Sequence, residues 1–222
     1  MTESNWDLFF DALGPIVLGA VRGTIPLTVV SFAVGLALAL MLALMRLSHR
    51  WWLAGLARGY ISIVRGTPLL VQLFVIFYGL PSIGILIDPW PSAVVAFSVN
   101  VGGYAAEIIR AAILSVPKGQ WEAAYMVGMS RHVALRRVIL PQAARVSVPP
   151  LSNTFISLVK DTSLASLILV TELFRQAQEV AAFSQEFMLL YLEAALVYWV
   201  ICLGLSAVQT RLETRLDRHV AH

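Results

Sequence analysis

The chain has 222 residues, 59% of them hydrophobic and only 13% charged. Its mean hydropathy is +0.78. Soluble domains carry about 25% charged residues, so a water-soluble globular fold is excluded and lipid is the solvent for most of the surface. The net charge of +3 does not indicate nucleic acid, because the basic residues alternate with apolar runs instead of pooling into one patch. The single cysteine, Cys202, excludes an internal disulfide, and no Cys/His spacing suggests a metal site.

Residues 1–11 carry Glu3, Asp7 and Asp11 but no Lys or Arg. A cleaved signal peptide needs a basic start, so no cleavage and an extracytoplasmic N-terminus are expected. A bilayer core takes roughly 20 apolar residues per helix. Five segments qualify, near residues 24–45, 69–80 (extending both ways), 92–113, 146–170 and 188–208. An extra membrane-surface helix near 9–21 is the alternative to a shorter count. Arg46, His49, Arg50 and Arg58 follow the first span. Arg110, Lys118, Arg131, Arg136 and Arg137 follow the third, and Arg211, Arg215 and Arg218 follow the fifth. With five spans these groups fall on one side, and Lys/Arg-rich loops face the cytoplasm. The opposite loops hold Asp88, Glu172, Glu179 and Glu186 against Arg175. Trp51, Trp52 and Trp90 fall at span edges, where amphipathic rings meet headgroups. The expected fold is an all-α, multi-pass membrane protein, residues 1–222 forming one unit, with the C-terminus inside.

Residues 115–142 are too polar to span. Pro117 and Gly119 break the preceding helix, Glu122-Ala123-Ala124 lie in a short helix-forming run, and Gly128 ends it. Pro141 marks a second break. A short helix with small residues suits docking into a cleft of another protein; an ordinary amphipathic surface loop is the other reading.

Glu122-Ala123-Ala124, three residues, Gly128, nine residues, then Val138-x-Leu140-Pro141 resembles the EAA loop of ABC importer permeases. The departure is Val138 where the pattern has Ile. By this resemblance the loop is a coupling helix seated in a groove of an ATP-binding subunit, with Gly119, Gln120, Glu122, Ala123, Ala124, Gly128, Met129 and Ser130 at the contact. Arg65-Gly66-Thr67-Pro68-Leu69-Leu70-Val71-Gln72 and the run from Pro150 to Leu164 resemble the polar amino-acid branch. The likeness covers about residues 19–218, and is closest in appearance to L-cystine permease subunits.

Charges inside a span face the bundle or a water-filled path. Asn153, Ser157, Lys160 and Asp161 recur at helical spacing on the fourth span, and Asn100, Tyr104 and Glu107 on the third. A zwitterionic substrate needs an acceptor for its ammonium, which Asp161 or Glu107 offers. It needs donors for its carboxylate, which Lys160, Asn153, Ser157, Thr162 and Ser163 offer. The competing readings are that Glu107 pairs with Arg110 three residues on, that Lys160 and Asp161 sit at the outer interface, and that Ser and Asn only join helices. Arg65, with Thr67, Pro68 and Gln72, is a gate or a structural element near the second span's edge. Pro149-Pro150 are expected to disrupt their helix, and Glu193 in the fifth span has no partner stripe.

No phosphate-binding loop is present. ATP and Mg are therefore expected on a separate ATPase subunit, with no cofactor, metal or catalytic residue on this chain. Five spans leave few helices to enclose a passage, so a second permease copy is expected, as a homodimer or a heterodimer with a related permease. The resemblance further implies an extracytoplasmic amino-acid-binding protein, a bacterial inner-membrane location and import of a polar amino acid such as L-cystine. An ion-coupled secondary carrier would show paired inverted repeats, which are absent. An intramembrane enzyme and a non-transporting assembly subunit are the remaining alternatives.

Overall fold

The computed structural model describes residues 5–217, and every regular element among them is helical. α1 (Asn5–Gly19), a π turn (Ala20–Thr24) and α2 (Ile25–Arg46) follow one another without a break. Trp6–Arg46 is thus one helix of 41 residues. The surface helix considered for 9–21 is the upstream part of the first span, because the π turn carries the backbone ladder through Gly19 and Gly23 instead of ending it. Glu3 and Arg218 lie outside the described residues.

The second span is broken. α3 (Trp51–Gly66) and the helical stretch Leu69–Ile83, which opens with α4 (Leu69–Phe74), meet at 106°. Pro68 forces the residue before it out of the helical region, and Thr67 is extended at φ −122° and ψ 145°. A helix end leaves orphan carbonyls. The Gln72 side-chain amide donates to two of the carbonyls there, Val64 O at 2.8 Å and Thr67 O at 3.1 Å. Gln72 therefore acts as the inner brace of the corner.

α5 (Pro89–Ser115) is the unbroken third span and α6 (Lys118–Met126) the short helix that follows it. α7 (Arg131–Ala134), a π turn (Leu135–Ile139), α8 (Leu140–Asp161) and a 3-10 turn (Thr162–Ile168) form one helical run. The break expected at Pro141 does not occur, since Pro141 sits in the first turn of α8, directly after the π turn. Nor do Pro149 and Pro150 end their helix. Membrane helices tolerate the loss of such donors where neighbouring segments cover the freed carbonyls. α9 (Leu173–Ser184) leaves this run at 49°, and α10 (Phe187–Asp217) completes the chain. Three helices are long and apolar enough to cross a bilayer, and the number is five where each of the two bent pairs counts as one span.

The main core surrounds α5, which packs chiefly on α2 and then on α8 and α3. Backbones approach closely there. A Cβ on Gly35 would stand 2.7 Å from Val101, and one on Gly102 2.7 Å from Leu38. Small residues at such crossings let helices gain dispersion contacts that lipid cannot match. A second core joins α1, α9 and α10 through Ala12, Ile16, Ala20, Leu173, Ala177, Ala181 and Leu190. The substrate stripes predicted from sequence lie on α5 and α8.

Candidate functional site

A cavity of 430 Å³ opens between the corner of the second span, α5 and α8. Thr67 and Pro68 contribute from the corner, Asn100 and Tyr104 from α5, and Asn153, Thr154, Ser157 and Asp161 from α8. Residues four apart on a helix share a face, which places Asn153, Ser157 and Asp161 in one column. Asn153 Oδ1 accepts a hydrogen bond from Gln209 of α10 at 3.2 Å. Asn100 donates to Gln72 Oε1 at 3.2 Å, so the brace of the corner is also tied to the cavity wall. The Arg65 guanidinium lies over the Tyr104 ring, 5.5 Å from its centroid, a cation–π contact across the corner. The Asp161 carboxylate lines the cavity, is only partly exposed, and makes no hydrogen bond or ion pair with any described residue.

The other sequence candidates lie elsewhere. Lys160 and Ser163 line a separate cavity of 560 Å³ with Phe174, Tyr191, Tyr198 and Trp199. Thr162 is fully buried and donates to Val159 O at 2.7 Å. Glu107 pairs with Arg110 at 2.8 Å and with Arg46 at 3.4 Å, joining the ends of α2 and α5. This is the structural reading of Glu107, and it does not line the cavity. Thr154, which the sequence stripe did not include, does. Glu193 is 2% exposed and has no hydrogen-bond partner among the described residues.

Sequence reasoning placed Glu172 in a loop, but it is fully buried. Its carboxylate accepts from the amides of Phe174 at 2.9 Å and Arg175 at 2.7 Å, capping α9. It also accepts from Tyr198 Oη at 2.9 Å on α10 and from Thr24 Oγ1 at 3.5 Å in the first span. Glu is not a favoured capping residue, so only the tertiary fold reveals the role. The backbone beside it presses on the first span. A Cβ on Gly23 would stand 2.4 Å from the Thr171 carbonyl oxygen.

The loop side is built on α6. Trp121 is half-buried and Ala124 buried, whereas Glu122 and Ala123 are exposed, as are Tyr125, Met126 and Val127. Gly128 has φ +79°. Its amide bonds to Tyr125 O at 2.9 Å, and that of Met129 bonds to Ala124 O at 3.0 Å. These two bonds make a Schellman cap, and the left-handed residue it needs costs a side chain about 1–2 kcal/mol. Gly128→Val is therefore expected to fray the end of α6 and cut ATP-driven uptake about tenfold, with the melting temperature unchanged. Uptake and thermal unfolding measured on the same preparation check this, and wild-type uptake in the variant would refute it. On the opposite flank, Gln142 of α8 donates to Gln120 of α6 at 3.1 Å, linking the short helix to the fourth span.

Residues 35–218 match the family described as binding-protein-dependent transport system inner membrane component. The L-cystine transport system permease protein TcyB of Bacillus subtilis (strain 168) is 59% identical over 221 residues, covering 99% of this chain and 94% of that protein. The glutamine transport system permease protein GlnP of Escherichia coli (strain K12) is 38% identical over 96% of this chain and 98% of its own. A crystal structure of an amino acid ABC transporter with histidines superposes with a TM-score of 0.89 at 35% identity, covering 97% of this chain and all of that one. The inward-facing MetNI methionine ABC transporter, at 19% identity, shares the fold with a TM-score of 0.77 over 90% of this chain and 96% of that one. With a family match over most of its length and a relative of this similarity, the chain belongs to the inner membrane components of binding-protein-dependent transport systems, as a permease subunit of an ABC importer.

Proposed function

We propose that this permease passes a polar amino acid, L-cystine in the first instance, through the cavity between the corner of the second span, α5 and α8. The observation that carries this reading is the Asp161 carboxylate, which makes no hydrogen bond or salt bridge with any described residue and feels the charge of adjacent Lys160, in a wall otherwise lined by neutral Asn100, Tyr104, Asn153, Thr154 and Ser157. A carboxylate at membrane depth with no hydrogen bond to its oxygens is costly, and a substrate ammonium would relieve it. The amides and hydroxyls around it would take the substrate's carboxylate by hydrogen bonds. The 59% identity to an L-cystine permease supports the substrate assignment.

The chain would not hydrolyse ATP. An ATPase subunit carrying ATP and Mg would seat the exposed face of α6, around Glu122, Ala123 and Met126, and its closure would be passed to the spans through the two ends of that helix. Gly119, Gln120, Gly128, Met129 and Ser130 would frame the contact. A second permease copy would complete the passage, and an extracytoplasmic binding protein would deliver the amino acid. Residues 1–222 would act as one transmembrane unit in the bacterial inner membrane, N-terminus outside and C-terminus inside, with Arg65, Thr67, Pro68 and Gln72 bending the wall of the passage.

Reconstitution with the cognate ATPase and binding protein in liposomes tests this. ATP-dependent uptake of labelled cystine, competed best by unlabelled cystine, is the expected result. ATP-dependent uptake of another amino acid would remove cystine alone. Flux independent of ATP would indicate an ion-coupled carrier, and no flux with an active ATPase would indicate an assembly subunit.

A further inference from the structure

A second site lies away from the passage. A pocket of 640 Å³ opens where the turn after α2, the end of α5 and the start of α6 meet. His49, Arg50, Lys118 and Arg131 line it, and no Asp or Glu does. Arg50, Lys118 and Arg131 make no ion pair with any described residue. Arg131 is held in place by donating to Leu47 O at 3.4 Å. Two helices also begin at this rim without a side-chain cap, α3 after Arg50 and α6 after Pro117. Uncapped helix starts present amide donors and partial positive charge, which adds to the three cations. Such a concentration of unneutralised charge calls for an anion.

The rest of the pocket is largely apolar. Leu44 of α2 and Leu114 of α5 line it and are 37% and 60% exposed. Trp51 and Trp52, directly after Arg50, are 85% and 47% exposed, as expected of rings at headgroup level. A soluble anion would use the charges and leave the leucines wet. The ATPase is a poorer fit, because α6 turns its Trp121 side to the pocket and exposes Tyr125, Met126 and Val127 elsewhere. We propose that this pocket binds the phosphate headgroup of an anionic phospholipid, with the upper part of an acyl chain against Leu44 and Leu114. Basic pockets between spans take such headgroups. The bound lipid would fill the angle between the spans and the short helix that meets the ATPase.

The test is native mass spectrometry of the detergent-purified importer, permease with its ATPase, titrated with phosphatidylglycerol or with phosphatidylcholine of the same chains. Phosphatidylglycerol is expected to be retained more strongly. Arg50→Gln with Lys118→Gln should lower that retention roughly tenfold or more, since each basic residue near a lipid surface contributes about a fivefold factor. Arg50→Gln alone, which leaves α6 untouched, should lower it about fivefold. Arg136→Gln with Arg137→Gln removes equal charge outside the pocket and should change nothing. Undiminished retention in the Arg50/Lys118 variant would overturn the proposal. Displacement of the lipid by millimolar glycerol phosphate would make the site one for a soluble anion. Loss of ATPase from the complex with lipid retention unchanged would make the surface a protein contact instead. The readout is binding, so it stands apart from the question of which amino acid is carried.

Discussion

Glu172→Leu is expected to lower the melting temperature of the purified importer by on the order of 10 °C, the largest stability loss anticipated for one side chain of this permease. Leucine keeps the volume but removes every acceptor. Losing the cap of α9 costs about 0.5–2 kcal/mol, and each hydroxyl left without its buried partner adds about 1–3 kcal/mol. With Thr24 and Tyr198 both affected, the sum is about 2.5–8 kcal/mol. Glu172→Gln retains one acceptor oxygen and should lose less. Tyr198→Phe alone should cost about 1 kcal/mol. Combined with Glu172→Leu it should add almost nothing, because the two side chains share one bond. Thermal unfolding of the three variants in detergent gives the answer, and a melting temperature unchanged in Glu172→Leu would show that the network contributes little.

Asp161→Asn should have the opposite profile, a large effect on transport and none on the fold. The carboxylate makes no hydrogen bond or salt bridge with any described residue, so neutralising it gives up only the attraction of the adjacent Lys160 charge. A hydrogen bond to a charged group contributes about 1.5–3 kcal/mol, so the KM for uptake should rise roughly 10- to 100-fold. Lys160→Gln is the informative comparison. Lys160 is adjacent in sequence but lines the other cavity, so its uptake KM should change far less. Uptake kinetics in liposomes decide the matter. An unchanged KM in Asp161→Asn, or an equal rise in Lys160→Gln, would place the substrate contact elsewhere.

The long apolar helices were legible in the sequence because lipid demands long apolar runs, and α6 with its glycine stop was legible because capping is local. The corner at Pro68 and its 106° angle were not read from the sequence, in which Pro68 stood only as part of a gate or structural element. The brace from Gln72 reaches back eight residues to Val64, and Asn100 of another span holds its far end. Pro141, Pro149 and Pro150 read as breaks because sequence shows the missing donor but not the π turn or the neighbours that make the loss tolerable. Of the stripe on the fourth span, Asn153, Ser157 and Asp161 line one cavity. Lys160 lies at its edge, and only the placement of α10 decides that it faces another cavity. Glu107 had two readings at one spacing, and Arg46, 61 residues away, adds a second bond that the sequence did not show.

The separation in sequence between the groups around Glu172 bears on how the protein is made. Thr24 precedes Glu172 by 148 residues, and Tyr198 follows by 26. At about 5–20 residues per second, the first span waits roughly 7–30 s for the segment that seats on Gly19 and Gly23. The carboxylate then waits again for Tyr198. A chain whose synthesis stops before the last span therefore carries a recognisable mark of incompleteness, an acidic group awaiting its final donor beside an unfilled seam. Completing the last helix removes that mark.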